Sequence, residues 1–359
     1  MAVSAVVVGA GQAGLSTAYH LVRGGLVPER DLVVLDANRR PGGAWQHRWP
    51  SLTLGAAHHV SDLPGMPLGT PDPRRPASEV VPDYYGAFEE RFGLQVRRPV
   101  RVRAVTSPDG PHGGLRVETD AGVWSTPTLV SGTGTWDRPH WPHYPGRERF
   151  RGRQLHTHDF RSAEDFRGQH VVVVGAGTSA VQFLLQLTAA GATTTWVTRR
   201  PVEFTRRPFD LEWGRDVERE VGARVAAGLP PRSVVSATGL PLTPAYQRGI
   251  DAGVLVARPI FTEITTDGVR FAGGDQVRAD AILWATGFRP ALDHLAPLHL
   301  RERGAGIRMD GTAVVRDPRV QLVGYGPSAS TLGATRAGRR AARAVLTQLR
   351  EASPQVAAS

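Results

Sequence analysis

One local pattern occurs twice in this chain, and it dictates most of what the chain can fold into. Near the start, Val6-Val7-Val8-Gly9-Ala10-Gly11-Gln12-Ala13-Gly14 joins a short β-branched run to G-x-G-x-x-G. An apolar-periodic stretch follows through Leu15, Ala18, Leu21 and Val22. Near the middle, Val171-Val172-Val173-Val174-Gly175-Ala176-Gly177-Thr178-Ser179-Ala180 repeats the order, with Ala180 in place of the third glycine. Strand, glycine turn and helix in that order is what a dinucleotide pyrophosphate requires. Gly9 allows the tight turn, Gly11 lets the backbone approach the phosphates, and Gly14 lets the helix pack on the strand; Gly175, Gly177 and Ala180 hold the same places. The free N–H groups and positive dipole end of each helix then face the anion.

The two copies differ where the next strand ends. After the first, Leu32-Val33-Val34-Leu35 runs into Asp36, twenty-two residues beyond Gly14. A carboxylate there can accept hydrogen bonds from both ribose hydroxyls and would repel a 2′-phosphate. After the second, Thr193 to Val197 runs into Thr198-Arg199-Arg200. A guanidinium in that place binds a 2′-phosphate bidentately. The sequence therefore predicts two dinucleotides, one without and one with that phosphate. Reading Arg199 and Arg200 as two more solvated arginines is the weaker alternative.

Composition narrows the chemistry. The net charge of +10 is no sign of nucleic acid, because all 43 basic residues are arginine, scattered in pairs such as Arg74-Arg75 and Arg339-Arg340. A nucleic-acid surface would gather them into one stripe with interleaved aromatics. With no Cys in the chain there is no redox disulfide, thiolate nucleophile or thiolate metal ligand, and with no Lys there is no Schiff base. The His-rich pieces, His58-His59 and His156 with His158, lack further ligands at metal spacing, so no metal is expected. No apolar run approaches the roughly 18 residues of a membrane span. The first strand begins almost at Met1, leaving no room for a signal peptide. A cytoplasmic protein with no membrane or nucleic-acid partner is expected, with a homodimer left open.

Between the glycine turns, Trp49 to Pro76 has no sustained period and reads as a long ordered loop, of the kind that usually carries function. Ser78 to Phe92 reads as a helix capped at Ser78. Val100–Val105, Leu115–Thr119 and Gly122–Trp124 read as an antiparallel meander. Leu129-Val130-Ser131-Gly132-Thr133-Gly134 is a strand ending in small residues, and Pro139, Pro142 and Pro145 form a linker. Later come the buried-type strand Ala281–Trp284, a strand at Val320–Val323 leading into Gly324, and a helix from Thr335 to Leu349, with Gly333 at its N-terminus. Trp136, Trp141 and Trp213 are assigned to packing.

Together these residues resemble a flavin-containing monooxygenase, a family of two-dinucleotide flavoproteins related to the Baeyer–Villiger monooxygenases. The resemblance runs from Val6 to about Leu349. Its most specific element is Phe150-Arg151-Gly152-Arg153-Gln154-Leu155-His156-Thr157-His158-Asp159-Phe160, which matches F-x-G-x-x-x-H-x-x-x-[YF] just before the second glycine turn. Phe160 favours the amine- and sulfide-oxygenating branch over the Baeyer–Villiger branch. Gly42-Gly43-Ala44-Trp45 resembles the family's GG-x-W, and Ala285-Thr286-Gly287-Phe288 its ATG-aromatic motif. The resemblance implies FAD on the first unit and NADPH on the second, and an α/β fold of two Rossmann-like domains, the NADPH domain inserted into the FAD domain. The expected division is 1–145 and 284–359 for FAD, with 146–283 between them for NADPH. It adds Gly43, Trp45, Gly134, His156, Gly287, Gly324 and Gly333 to the cofactor-binding residues. Family members carry an Asn that reaches the flavin where Gly55 stands here, which would leave free volume over the ring. The catalytic polar group is unassigned, with His58 and His59 as candidates.

The implied chemistry is hydride transfer from nicotinamide to flavin, addition of O₂ to give a C4a-hydroperoxyflavin, and transfer of one oxygen to a small-molecule amine or sulfur, or to a carbonyl. Two rivals use the same folds: an NADPH oxidase or electron transferase, and a redox sensor that only holds the nucleotides.

Overall fold

The computed structural model describes residues 1–57, 60–206, 211–231 and 239–352. Two parallel sheets organise it. The first contains β1 (Ala5–Val8), β2 (Leu32–Leu35) and β6 (Thr128–Ser131), all fully buried four-residue runs. β1 pairs in parallel with β2 on one side and β6 on the other, with Val7 opposite both Val34 and Val130. Strands buried on both faces need continuous apolar sequence, which is why these segments are Val- and Leu-rich without alternation. The meander β3 (Val102–Thr106), β4 (Leu115–Thr119) and β5 (Gly122–Thr126) is antiparallel and packs on this sheet through Val105, Val117 and Trp124.

The second sheet holds β7 (Arg153–His156), β8 (His170–Val174) and β9 (Thr193–Thr198). Short strands β10 (Phe204–Thr205) and β11 (Leu240–Pro241) pair separately. Next come β12 (Ala257–Pro259), a small antiparallel set β13 (Glu263–Thr265), β14 (Gly268–Arg270) and β15 (Gln276–Arg278), and β16 (Ala281–Trp284). The order in the second sheet is β12-β9-β8-β16-β7, all parallel. The chain then returns to the first sheet with β17 (Met309–Asp310), β18 (Ala313–Val314) and β19 (Val320–Leu322), giving the order β17-β18-β19-β6-β1-β2. Strands from both the early and the late chain therefore share one sheet, and the second sheet is built wholly from residues between them.

Six helices are described. α1 (Gln12–Arg23) and α3 (Thr178–Ala189) follow the two glycine turns, and α2 (Ala77–Arg91), α4 (Leu211–Ala226), α5 (Pro244–Asp251) and α6 (Thr331–Ala352) complete the set. α2 begins after Pro76 and has no side-chain cap, so the expected Ser78 cap is not made. Pro76 is itself the N-cap residue, and its ring has no N–H that needs a partner. α6 starts a turn earlier than its apolar period indicates. No described helix is long and apolar enough to cross a membrane.

Candidate functional site

The carboxyl ends of β1, β2 and β6 and the N-termini of α1 and α6 surround a cleft of about 620 Å³. Gly9, Gly11, Asp36, Gly43, Trp45, Gly134 and Gly324 line it; Gly14 and Gly333 do not. The three turn glycines divide the work by geometry. Gly9 has φ +93°, and a Cβ there would stand 2.6 Å from the Gly132 carbonyl oxygen. A Cβ on Gly14 would stand 1.8 Å from the Gly9 oxygen, so only glycine lets α1 lie on the turn. Gly11 meets nothing nearer than Gly43 Cα at 4.0 Å, leaving its backbone open to the cleft.

α6 reaches the cleft because α1 holds it there. Gln12 Nε2 donates to the Thr331 carbonyl at 2.6 Å and to Thr335 Oγ1 at 2.9 Å, and Ser16 Oγ donates to the Thr335 carbonyl at 2.8 Å. Two helix N-termini thus converge, with Thr331 and Ala334 on the cleft wall. Gly333 sits behind them, donating its N–H to Ser330 Oγ at 2.9 Å.

Asp36 is buried at 3% exposure and already well bound. Oδ2 accepts from the Ala10 N–H at 2.9 Å, and Oδ1 accepts from the Asn38 N–H and Nδ2, both at 2.8 Å. Arg98, itself paired with Glu89 at 2.6 Å, stands 3.7 Å from Oδ2. A carboxylate has about four acceptor positions. Protein donors occupy three, which leaves room for one ribose hydroxyl where the sequence suggested two.

The second turn repeats the first in outline. Gly175 has φ +144°, a Cβ there would lie 2.2 Å from the Ala285 oxygen, and Gly177 faces open space at the start of α3. Ala180 is fully buried, on the inner side of that helix. Arg199 and Arg200 are exposed just past β9, and among the described residues neither has a carboxylate partner. The charges of Arg289 and Arg199 reach His140, whose pKa is lowered by burial first and by those two arginines next.

His156 lies outside the cleft lining and is fully buried. Its Nδ1 accepts from the His158 N–H at 3.1 Å, which leaves Nε2 as the donor to the Gly287 carbonyl at 3.0 Å. The ring thereby ties β7 to the Ala285–Gly287 turn. Protonating Nδ1 would set two donors face to face, and burial lowers the pKa from 6.5 to about 4. His294, whose Nε2 meets Ser131 Oγ at 3.1 Å, is also lowered to about 4 by burial. Both rings are neutral when folded and charge when unfolded, so the unfolded state binds more protons between pH 4 and 6.5. Stability is expected to be complete above pH 6.5 and to fall as pH drops towards 4. Each ring contributes a slope of up to about 1.4 kcal/mol per pH unit. Denaturant midpoints across that range should show the slope, with His156→Gln removing about one proton of uptake.

Residues 43–52 bridge the two halves. Gly43 abuts Gly11, whereas Trp49 is buried in the second core against Phe160 at 6.0 Å and Phe183 at 4.7 Å. Trp136, assigned to packing from the sequence, does pack, on Phe288 and His158 at 5.0 Å each, but it also lines the cleft. The free volume expected at Gly55 is not there: Pro73 Cβ and O would lie 3.0 and 3.2 Å from a Cβ at that position, and the residue is exposed. His58 and His59 lie outside the described residues. Among the described residues no group of three or more metal-type ligands assembles.

Comparison with known proteins agrees with this architecture. The profile of the family described as pyridine nucleotide-disulphide oxidoreductase matches residues 6–212, more than half of the chain. A flavin-containing monooxygenase from Stenotrophomonas maltophilia superposes with TM-score 0.82 at 34% identity, covering 97% of this chain and 99% of that one. Indole-3-pyruvate monooxygenase YUCCA1 of Oryza sativa subsp. japonica is 29% identical over 346 residues, 88% of this chain and 82% of the relative. Bacillithiol disulfide reductase of Bacillus cereus shares the fold alone, with TM-score 0.69 at 18% identity. On these grounds the chain belongs to the pyridine nucleotide-disulphide oxidoreductase family and, within it, to the flavin-containing monooxygenases, enzymes that use a flavin and a pyridine nucleotide.

Proposed function

We propose that this protein binds FAD in the Gly9–Gly14 cleft and NADPH at the Gly175–Ala180 turn, and inserts one atom of O₂ into a small molecule. The balance is NADPH, H⁺, O₂ and substrate in, NADP⁺, water and the oxygenated product out. The acceptor is an amine or sulfur, or a carbonyl carbon. The bound flavin would supply hydride acceptance and activation of O₂. The cleft fits such a group: Gly11 leaves its backbone open, two helix N-termini point at the same space, and Asp36 keeps one acceptor position.

In this reading the chain's own residues position and exclude. Arg199 and Arg200 take the 2′-phosphate, for which their lack of carboxylate partners among the described residues leaves them available. His156 fixes the Gly287 turn, where Phe288 packs on Trp136 between the two halves and keeps water out. The division into 1–145 and 284–359 for FAD and 146–283 for NADPH is supported by strand membership of the two sheets. A cytoplasmic setting is part of the same proposal.

The observation that carries the reading is the bridge at residues 43–52, which touches the first glycine turn and the second core and so would bring two bound nucleotides to one junction. With no cysteine in the chain, no disulfide of its own can take the electrons. The test is stoichiometry: NADPH consumed should match oxygenated product, with H₂O₂ a minor fraction. H₂O₂ equal to NADPH for every substrate tried would make the protein an oxidase, and reduction of an added quinone or iron–sulfur protein in preference to O₂ would make it an electron transferase.

A further inference from the structure

The charged side chains that line the cleft are paired, with one exception. Asp36 has Arg98 at 3.7 Å, Asp137 has Arg101 at 3.3 Å, Asp293 has Arg138 at 2.8 Å, and Arg103 has Asp120 at 3.7 Å. Arg48 also lines the cleft, and among the described residues no carboxylate stands within 4.0 Å of it and no acceptor takes a hydrogen bond from its guanidinium. Its contacts are aromatic faces: the guanidinium carbon lies 4.6 Å from the centre of the Trp136 ring and 6.0 Å from that of Trp45. Burial brings its pKa down to about 10, so it remains charged at neutral pH. A half-buried cation held over a ring, with no protein acceptor among the described residues for its N–H groups, is a preformed receptor for a planar anion.

Position says which anion. The pyrophosphate place is the Gly9–Gln12 turn, covered by Gly43, whereas Arg48 lies farther along the bridge against Trp136. Trp136 in turn packs on Phe288, just past β16, and on His158, just past β7, at 5.0 Å each. This is the junction a substrate must reach to meet both nucleotides. A protonated amine placed against Arg48 would meet a like charge, and the carboxylate next to Trp136, Asp137, is already paired with Arg101 at 3.3 Å.

We infer that Arg48 is a substrate-binding residue that receives the carboxylate of a small organic acid, so that the molecule oxygenated is an anion carrying its reactive sulfur, nitrogen or carbonyl beyond that carboxylate. The inference rests on the proposed function for the identity of the reaction, and on the charge pairing for the identity of the site.

Three thioethers that differ only in charge test it: (phenylthio)acetate, its methyl ester, and 2-(phenylthio)ethylamine. Binding to the oxidised FAD-loaded protein is read by quenching of tryptophan fluorescence, which needs no turnover. The acid should bind about ten-fold or more tighter than the ester, the gain typical of a charge-assisted pair, and the amine weakest. Arg48→Met should bring acid and ester within about three-fold, a residue of the uncharged contacts alone, and Arg48→Lys should keep part of the preference. Equal binding of acid and ester by the unmodified protein would overturn the inference whether or not any variant folds. It would equally fall if Arg48→Met kept the acid preference while shifting the flavin midpoint potential or the NADP⁺ dissociation constant, which would assign Arg48 to the cofactors. Acid binding of the expected strength without sulfoxide formation would uphold the carboxylate site and count against the oxygenation reading alone.

Discussion

Gly14→Ala is expected to give a protein that melts well below the parent and is purified without flavin, while Gly11→Ala keeps the parent's melting temperature and loses only affinity for FAD. The two substitutions add the same methyl group three residues apart. At Gly14 it would lie 1.8 Å from the Gly9 oxygen and 2.9 Å from the Gly9 carbonyl carbon. Both are backbone atoms, so no side chain can turn aside. α1 must lift off β1 or the turn must open, and either breaks the packing of Leu15 and Ala18 that anchors the first core. Overpacking of this kind costs at least the roughly 1–3 kcal/mol seen in well-packed cores. At Gly11 φ is −80°, open to any residue, and the methyl would point into the cleft. Its effect on the apoprotein should stay within about 2 °C, and its effect on the FAD dissociation constant should be ten-fold or more, because a methyl between backbone N–H and phosphate removes charge-assisted hydrogen bonds worth roughly 1.5–3 kcal/mol. Melting curves and flavin titrations of the two apoproteins check this. Equal behaviour of the pair would mean the turn does not divide its roles in this way.

The second large effect lies at the other nucleotide. Arg199→Ala should raise the KM for NADPH ten-fold or more and leave that for NADH nearly unchanged, with Arg200→Ala smaller and the double variant largest. A charged, bidentate contact removed costs about 1.5–3 kcal/mol. The expectation is strengthened by what surrounds these residues: Arg199 and Arg289 both act on His140, so the mouth of this site is electropositive and has no acid pairing with Arg199 or Arg200 among the described residues. Steady-state kinetics with both nucleotides decide it. A parent enzyme that prefers NADH would remove the assignment.

The parts of this protein that could be read from sequence are those whose causes are local. A β-branched run before a glycine turn and an apolar period after it specify β1, α1, β8 and α3 with no help from elsewhere, and Gly9 and Gly175 announce turns that no other residue permits. The parts that could not be read depend on a partner far along the chain. α6 begins at Thr331 because Gln12 and Ser16 bind its first turn across some 319 residues, while its own sequence there, Thr331-Leu332-Gly333, is a weak helix start. Gly55 looked like a space-maker, and its surroundings are decided by Pro73, whose carbonyl accepts the Gly55 N–H at 2.8 Å. Asp36 was expected to accept from both ribose hydroxyls, and the Ala10 and Asn38 donors, with Arg98 3.7 Å away, have already claimed most of it. Arg48 was one of 43 arginines; nothing in the sequence separates it from Arg39 or Arg40, and only its place in the cleft wall over the Trp136 ring does. His156 was legible as a motif residue, but its tautomer, and hence its role as a tie to Gly287, follows from the His158 N–H.

The most direct measurement of the central claim is the fate of labelled oxygen. Purified FAD-loaded protein supplied with NADPH, ¹⁸O₂ and (phenylthio)acetate is followed by mass spectrometry of the product and by counting NADPH and H₂O₂ together. A flavin-dependent monooxygenase should place one ¹⁸O atom in the sulfoxide for each NADPH consumed, with H₂O₂ a small remainder. Steady NADPH consumption with no labelled product from this thioether, its uncharged ester or its amine, and with H₂O₂ accounting for all of the NADPH, would contradict it.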